Sequence, residues 1–516
     1  MSLNSHVRKW RVQFAIALYP VSMILDAETC YRALQARDPR FDGRFFTAVC
    51  TTQIFCRPVC PARTPKFENC RFFSSAAAAH AAGFRPCLRC RPELSPDLLT
   101  QITTASTVNR ALRLINQGAL DQGSVAELAN RLGMGDRHLR RLFDQHLGIS
   151  PLAVAQTRRI LFAKQLINQT ELPLTDIALA AGFNSIRRFN AAMRDSYQKS
   201  PTELRQAKTS RLSAMPPIGQ PAIQIRLPFE PPYHWAALVQ WLTPRVTAGV
   251  EQITPAAYRR TIELEGAQGM VELHPVEDAN YLLAQIQFPK LGCLSQIVER
   301  LKQMFDLSAN IGEIAAQLGS DPQLQSVVHA LLGLRVPGAW DGFELAVRTI
   351  LGQQVSVAAA TKMAGRLVQI YGAALPEPQG ELTHLFPQPT ALAAADLTQI
   401  GLTLNRSKAI NAMAAKFAAE PDFFSRFTDL EDAVQQLTQL PGIGDWTAQY
   451  IAMRALREPD AFPASDLGLR RSMALLGCAV QQSELVALSQ AWRPWRAYAA
   501  MYLWMNLNLS LLKSES

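Results

Sequence analysis

LPGIGDWTAQYIAMRALREPDAFPASD, Leu440 to Asp466, is the stretch that decides how the chain is read. Leu440 closes an apolar helical run, Gly442 and Gly444 make two close corners, and DWTAQY opens a second helix. Glycine corners let the backbone turn tightly between two helices and bare its N–H groups. The start of the second helix adds a partial positive charge, so the hairpin suits an anion such as a nucleic-acid phosphate. The polar turn beyond it ends at Asp466, ahead of the helix DLGLRRSMALLG. An aspartate there is first of all an N-cap. Behind a phosphate-gripping hairpin it is also a carboxylate facing whatever the hairpin holds.

The rest of the chain agrees with an anionic partner. A net charge of +10 and a pI near 9.3 fit nucleic acid, and 48% hydrophobic with only 18% charged residues excludes a disordered chain. The length of 516 residues suits three or four domains. No apolar run is long enough for a transmembrane helix, so no membrane partner is expected. Nine cysteines, concentrated between Cys30 and Cys90, make an odd count without a convincing secretion signal; this argues for a reducing compartment. Residues 1–22 imitate a charged and then apolar leader but lack a small-x-small cleavage site. They read as a dispensable leader, with Met23 as the start.

Composition divides the remainder into 23–97, rich in cysteine; 100–207, helical and arginine-rich; a Pro- and Ser-containing linker over 208–222; and 223–516. Within the last, strand-like runs (AIQIRLPF, YRRTIELE, MVELHP, YLLAQIQF) occupy 223–324, and 325–516 carries continuous helical patterning up to Leu512. Segment 100–207 holds an internal repeat: VAELANRLGMGDRHLRRLFDQHLGISP returns about 50 residues later as LTDIALAAGFNSIRRFNAAMRDSYQKSP. Each copy is a short apolar helix, a glycine turn (Gly133, Gly182) and an arginine-rich amphipathic helix, the logic of helix-turn-helix. LAVAQTRRILFAKQLINQ joins them as one helix.

In the first segment, Cys56 and Cys60 (QIFCRPVCPAR) and Cys87 and Cys90 (FRPCLRC) form a C-x3-C and a C-x2-C pair separated by 26 residues. Four thiolates suit tetrahedral zinc, and on spacing alone such a site is a staple for a domain with little core. Cys30, Cys50 and Cys70 belong to no tight second pair and stay outside it. The wording TTQIFCRPVCPAR … FRPCLRCRPE, over residues 41–92, resembles the N-terminal methyl-acceptor domain of the Ada family. The resemblance implies that Cys56 is both zinc ligand and nucleophile, irreversibly taking a methyl group from a DNA methylphosphotriester. It makes Cys60, Cys87 and Cys90 the other ligands, and Thr52, Arg63 and Arg85 DNA contacts. Four thiolates on one Zn2+ carry a net charge of about −2, and methylating Cys56 removes one negative charge, so DNA affinity is expected to rise. Gln53 stands where that family commonly has glycine.

The doubled motif resembles the AraC-type regulators over 105–205, through LFDQHLGISP and the pattern Gly182, Phe183, Ser200, Pro201. It implies recognition helices over residues 136–145 and 185–196, with Arg137, Arg140, Arg187 and Arg188 as candidates for base or phosphate contact.

Residues 223–512 resemble the AlkA-like 3-methyladenine DNA glycosylases of the helix-hairpin-helix superfamily. The match lies in LPFEPPYHW, FELAVRTILGQQVSVAAA, LPGIGDWTAQYIAMRAL, FPASDLGLRR and WRPWRAYAAMYLW. It implies Asp466 as the catalytic aspartate, Trp446, Tyr450 and Trp504 as the base pocket, and Gln354 as the wedge entering the vacated stack, where the namesake enzyme has leucine. Gly442 and Gly444 would hold DNA. Strand-cutting relatives place a lysine two residues after the second glycine; here that residue is Trp446, so no Schiff base forms and a monofunctional enzyme is expected. No PCHR-like motif occurs, which leaves guanine-oxygen repair to another protein.

The expected fold is multidomain and mainly α with α+β parts: a small zinc domain, a double helix-turn-helix domain, an α/β domain and an all-helical helix-hairpin-helix domain. The expected protein is an alkylation-response regulator fused to a glycosylase, needing one zinc ion for the methyl acceptor and no cofactor for base excision. Its partners would be double-stranded DNA and RNA polymerase, in the cytoplasm at the nucleoid. The alternative is a transcriptional regulator whose glycosylase-like half serves only as a DNA-binding module.

Overall fold

A computed structural model describes residues 25–96, 106–206 and 222–515. The expected leader and most of the linker lie outside the described residues.

Near the N-terminus, β1 (Phe46–Val49), β2 (Ile54–Cys56), β3 (Cys70–Phe73) and β4 (Arg85–Pro86) form a sheet of order β3-β1-β2-β4, with β4 parallel to β2. Phe46, Ala48, Phe55, Ala79 and Phe84 make its small core. The β1–β2 turn needs a left-handed residue, and Gln53 takes it at φ 55°, its amide donating to Cys50 O at 2.6 Å. That conformation explains why glycine is the common choice there. The Arg85 N–H donates to Gln53 O (2.8 Å) and the Cys87 N–H to Phe55 O (3.0 Å), which sets the second cysteine pair beside the first.

Both helix-turn-helix copies form as read. Val125–Arg131 opens with a Ser124–Glu127 capping box, and Asp136–Leu147 ends on Gly148 in the left-handed region. Pro151–Gln169 is the joining helix, followed by Leu174–Ala180 and Ile186–Tyr197, the last capped by Ser185. The turn glycine of the second copy is required twice over. Gly182 sits at φ 88°, and a Cβ there would run into the Asp121 carboxylate, which also takes Arg158 and Arg159.

The two copies are buried differently. Leu128, Leu139 and Phe143 of the first pack in a core of their own, to which the N-terminal unit adds Ala77. Ile177, Phe189 and Met193 of the second join one large core that runs on into residues 223–505. There β5 (Ile223–Pro228), β6 (Glu251–Ile253), β7 (Tyr258–Leu264), β8 (Ala267–Pro275) and β9 (Tyr281–Gln287) form an antiparallel sheet of order β5-β9-β8-β7-β6. The joining helix meets β5 directly: Gln165 donates to Arg226 O and the Arg226 N–H donates to Gln169 Oε1, both at 2.8 Å.

Two details differ from the sequence-based expectation. Helices occur well before residue 325, at Trp235–Leu242 between the strands and at Leu294–Met304 and Ile311–Leu318 after them. The region after 325 is not continuously helical either: β10 (Ala374–Gln379) and β11 (Leu382–His384) form a hairpin turning at Gly380, φ 63°. Pro376 and Pro378 remove two N–H donors from what would be a helix. The hairpin instead bonds to the antiparallel sheet, His384 O accepting from Thr261 Oγ1 at 2.8 Å. Among the described residues, no helix is long and apolar enough to cross a membrane.

Candidate active sites

Leu430–Thr438 runs into the glycine corners, and Asp445–Ile451 leaves them with Gly444 as its N-cap, continuing through a π-helical turn over Ala452–Leu456. Gly442 has φ 76°, and a Cβ there would lie 2.7 Å from that of Ala409; Gly444 has open space around it. Gln353, which the sequence reading passed over, latches the corner. Its amide donates to Gly442 O (2.9 Å) and Thr447 Oγ1 (3.0 Å), while its own carbonyl accepts from Arg406. Gln354 follows at φ 54°, exposed, in the turn before Val357–Tyr371. The turn carrying Gln354 and the glycine hairpin are thus brought together.

Asp466 caps Leu467–Leu475, its Oδ1 accepting the Leu469 N–H at 3.1 Å. The same carboxylate takes two indoles: Trp504 Nε1 donates to Oδ1 at 3.0 Å and Trp446 Nε1 to Oδ2 at 2.8 Å. All four predicted residues therefore meet. Trp446 stacks on Tyr450 (centroids 5.3 Å, 13°), and Tyr450 leans on Trp504 (5.9 Å, 60°). Gly468 makes room: a Cβ there would come within 2.8 Å of Asp466 Oδ1 and 3.4 Å of the Trp504 ring. Trp241, on the helix Trp235–Leu242, stacks on the far side of Trp504 (5.4 Å, 22°), and the Arg245 guanidinium lies 3.5 Å from the Trp241 ring centroid. Neither Gly468 nor Trp241 was legible as part of the site, because each matters through a side chain remote in sequence or through the absence of one.

Charge is concentrated behind this cluster. Burial pushes Arg245 down to about 10. Burial also works to raise the Tyr450 phenol, but Arg454, Arg245 and Arg348 outweigh it and hold the phenol below its ordinary value. Arg454 Nη1 donates to Tyr450 Oη at 2.8 Å. Deeper still, Arg260 and Arg348 pair with Glu251 and Glu344, so the guanidiniums have carboxylate partners within the protein.

At the other end of the chain, Cys56 ends β2, Cys60 lies in the next turn, and Cys87 and Cys90 follow β4. Their four sulfurs lie within 4.8 Å of one another. Zinc–thiolate bonds of about 2.3 Å in a tetrahedron place sulfurs about 3.8 Å apart, so the donor set and its spacing fit that ion. Cys60, Cys87 and Cys90 are buried, and Cys56 is the partly exposed member. The Arg57 N–H donates to Cys90 Sγ (3.3 Å), and the Arg57 side chain is anchored on Asp42 (2.8 Å). Cys30 is buried with Ala33 and Phe45, away from the quartet. Thr52 and Arg85 are brought together, Arg85 Nη2 reaching Thr52 O at 3.5 Å, and Arg63 is exposed. Arg137, Arg140, Arg187 and Arg188 are all exposed on the second helices of the two repeats, opposite the buried Leu139, Phe143, Phe189 and Met193.

Four family models match in order along the chain. They are the metal binding domain of Ada over residues 29–93, a helix-turn-helix domain over 128–207, the AlkA N-terminal domain over 224–341, and the HhH-GPD superfamily of base excision DNA repair proteins over 347–497. A Mycobacterium tuberculosis protein, named probable bifunctional transcriptional activator/DNA repair enzyme AlkA, is 42% identical over 93% of this chain and 97% of its own length. The Escherichia coli DNA-3-methyladenine glycosylase 2 is 30% identical over 54% of this chain and 95% of its own. The solved 3-methyladenine DNA-glycosylase of Archaeoglobus fulgidus shares the fold of the C-terminal half, with a TM-score of 0.50, 21% identity, and coverage of 55% of this chain and 98% of that one. The chain belongs to the family in which an Ada-type metal-binding and helix-turn-helix regulator is fused to an AlkA-type DNA glycosylase.

Proposed function

We propose that this chain meets alkylation damage with two chemistries: monofunctional excision of alkylated, 3-methyladenine-like bases at Asp466, and irreversible methyl transfer from a DNA methylphosphotriester to Cys56, which switches a transcriptional activator. The carrying observation is the convergence of Trp446 and Trp504 on the Asp466 carboxylate, with Tyr450 against both indoles, beside a glycine hairpin that has Trp446 where a strand-cutting relative has an amine. The names of the M. tuberculosis and E. coli relatives, a transcriptional activator/DNA repair enzyme and a DNA-3-methyladenine glycosylase, support the excision of alkylated bases and a role in transcription.

Excision begins with Gly442 and Gly444 gripping a phosphate and the damaged nucleotide leaving the stack, where Gln354 takes its place. Aromatic faces attract a base that alkylation has made cationic. Such a base is already a good leaving group, so the glycosidic C–N bond breaks with its electron pair passing to the base. Asp466 stabilises the oxocarbenium-like sugar and guides water to its anomeric carbon. An abasic site remains, since Trp446 offers no amine for a Schiff base.

For the second chemistry, Cys56, Cys60, Cys87 and Cys90 would hold one zinc ion, which when bound keeps all four thiols deprotonated at neutral pH. Cys56, the partly exposed sulfur, attacks the methyl carbon; the S–C bond forms, the C–O bond breaks, and the phosphate diester leaves as an anion. Thr52, Arg63 and Arg85 steady the backbone, and Arg137, Arg140, Arg187 and Arg188 read or grip an operator near which RNA polymerase is recruited. The setting is the cytoplasmic nucleoid.

Mass spectrometry of protein and supernatant after incubation with methylated DNA tests both at once. We expect one methyl mass on the Cys56 peptide and free alkylpurine in solution. A covalent adduct trapped by borohydride would overturn the monofunctional reading, and a methyl-free Cys56 would reduce the quartet to a staple.

A further inference from the structure

The two indoles of the aromatic cluster each direct their N–H group to the same carboxylate. An ionised carboxylate offers about four acceptor positions. Three of the Asp466 positions are taken: Oδ1 by the Leu469 N–H (3.1 Å) and Trp504 Nε1 (3.0 Å), and Oδ2 by Trp446 Nε1 (2.8 Å). Among the described residues one acceptor position remains, on Oδ2. The donors are themselves held from behind. Trp504, 7% exposed, is stacked against Trp241, which lies under the Arg245 guanidinium, and Trp446 is stacked on Tyr450, whose oxygen is held by Arg454. Asp466 stands at the N-cap of a helix and is only half-buried. A carboxylate there with its backbone cap alone would keep rotational freedom about its side-chain bonds.

We infer that Trp446 and Trp504 are positioning residues for Asp466: their N–H groups fix the carboxylate so that its single free acceptor on Oδ2 faces the sugar. This inference rests on the reading of Asp466 as the group that stabilises the sugar cation. It gives the two indoles a task separate from stacking on the base, and it assigns Trp241 and Arg245 of the α/β region to the catalytic apparatus one layer back. Hydrogen bonds to a charged acceptor are about twice as strong as neutral ones, and orientation errors of about 1 Å at a reacting centre cost about 100-fold in rate.

Phenylalanine keeps a flat aromatic face and removes the N–H together with part of the indole ring, so Trp446→Phe and Trp504→Phe are read against a neutral-sugar duplex, on which lost packing acts and the lost N–H does not. Full-length variants are assayed for single-turnover base release from methylated duplex. They are also assayed for binding to duplexes carrying either a cationic pyrrolidine or a neutral tetrahydrofuran in place of the damaged sugar. We expect each variant to lose about 10- to 100-fold in release rate, with half-saturation changed by less than about twofold. The preference for pyrrolidine over tetrahydrofuran should shrink by a similar factor, because that ratio reports the negative charge directed at the sugar. Variants that keep both rate and preference, or that weaken on both duplexes equally, overturn the inference. Trp446 is half-buried, so Trp446→Phe decides the matter if Trp504→Phe does not fold. Asp466→Asn is run in parallel: excision by it sinks the underlying reading. Its silence beside fully active phenylalanine variants sinks only the inference.

Discussion

Asp466 and Cys56 each carry a structural task along with the chemistry proposed for them, but the two tasks differ in how replaceable they are. Asp466 caps a helix, a service that asparagine performs about as well, worth about 1 kcal/mol. Cys56 is one of four sulfurs that substitute for a core in a unit whose other buried apolar residues fall into two small clusters, of five and three. The chemistry at one end can therefore be removed without touching the fold, and at the other it cannot. The difference follows from size: the C-terminal centre rests on a large continuous core, and the N-terminal one has little else to hold it.

The largest effect that would test this contrast is at Asp466. Asp466→Asn keeps the cap but turns an NH2 group toward one of the two indole donors, so it should lower single-turnover base release by about 1000-fold while the melting temperature falls by no more than about 2 °C. A melting loss of several degrees would mean that the carboxylate serves the fold first. Next comes Cys87→Ala, a buried member of the quartet. Bound zinc, measured by elemental analysis, should fall to near zero, and amides of β1 and β2 should lose exchange protection, with base release unchanged within about twofold. Loss of excision as well would show that the two ends are not separable.

Gly442→Ala tests the contrast between the two corner glycines. Its φ of 76° and the 2.7 Å approach to Ala409 should together cost about 1–2 kcal/mol and weaken binding of undamaged duplex about tenfold, whereas Gly444→Ala should change it less than about twofold. The last effect, on stability alone and only as the pH rises, concerns the ground between the two ends. Burial raises Glu230 to about 7, while Arg44 of the N-terminal unit and Arg335 partly oppose it. The folded chain thus keeps a proton that the unfolded chain gives up near 4.5. That contribution is complete below pH 4.5 and is lost as pH rises through 7. Glu230→Gln should remove this slope, matching the native protein near pH 4.5 and exceeding it by about 2 kcal/mol at pH 8, as read by urea unfolding. Parallel pH profiles for the two proteins would refute the assignment.

The sequence announced those parts of the molecule whose chemistry is local. Glycine corners, paired cysteines and a doubled helix-turn-helix pattern each sit within a few residues, and all appear where they were expected. Gln53 and Gln354 stood out as departures, and both prove to occupy left-handed backbone, a demand of the turn invisible in composition. What escaped was long-range. Gln353 acts on a carbonyl in another helix pair, and Trp241 acts through the far face of Trp504. Gly468 acts by leaving space for a carboxylate. The β10–β11 hairpin was lost inside a helical run because its partner is a strand more than a hundred positions earlier.

The second helix-turn-helix copy shares its apolar interior with the β5–β9 sheet, where Ile225, Leu227 and Ile286 are fully enclosed. Fusion here has gone beyond tethering. A repair half released by cutting ahead of Ile223 would bare the surface that now meets the joining helix, and it would be a less soluble molecule than a free-standing enzyme of the same fold. The chain is thus committed to travel as one piece: wherever the regulator is held on a promoter, a glycosylase is held with it.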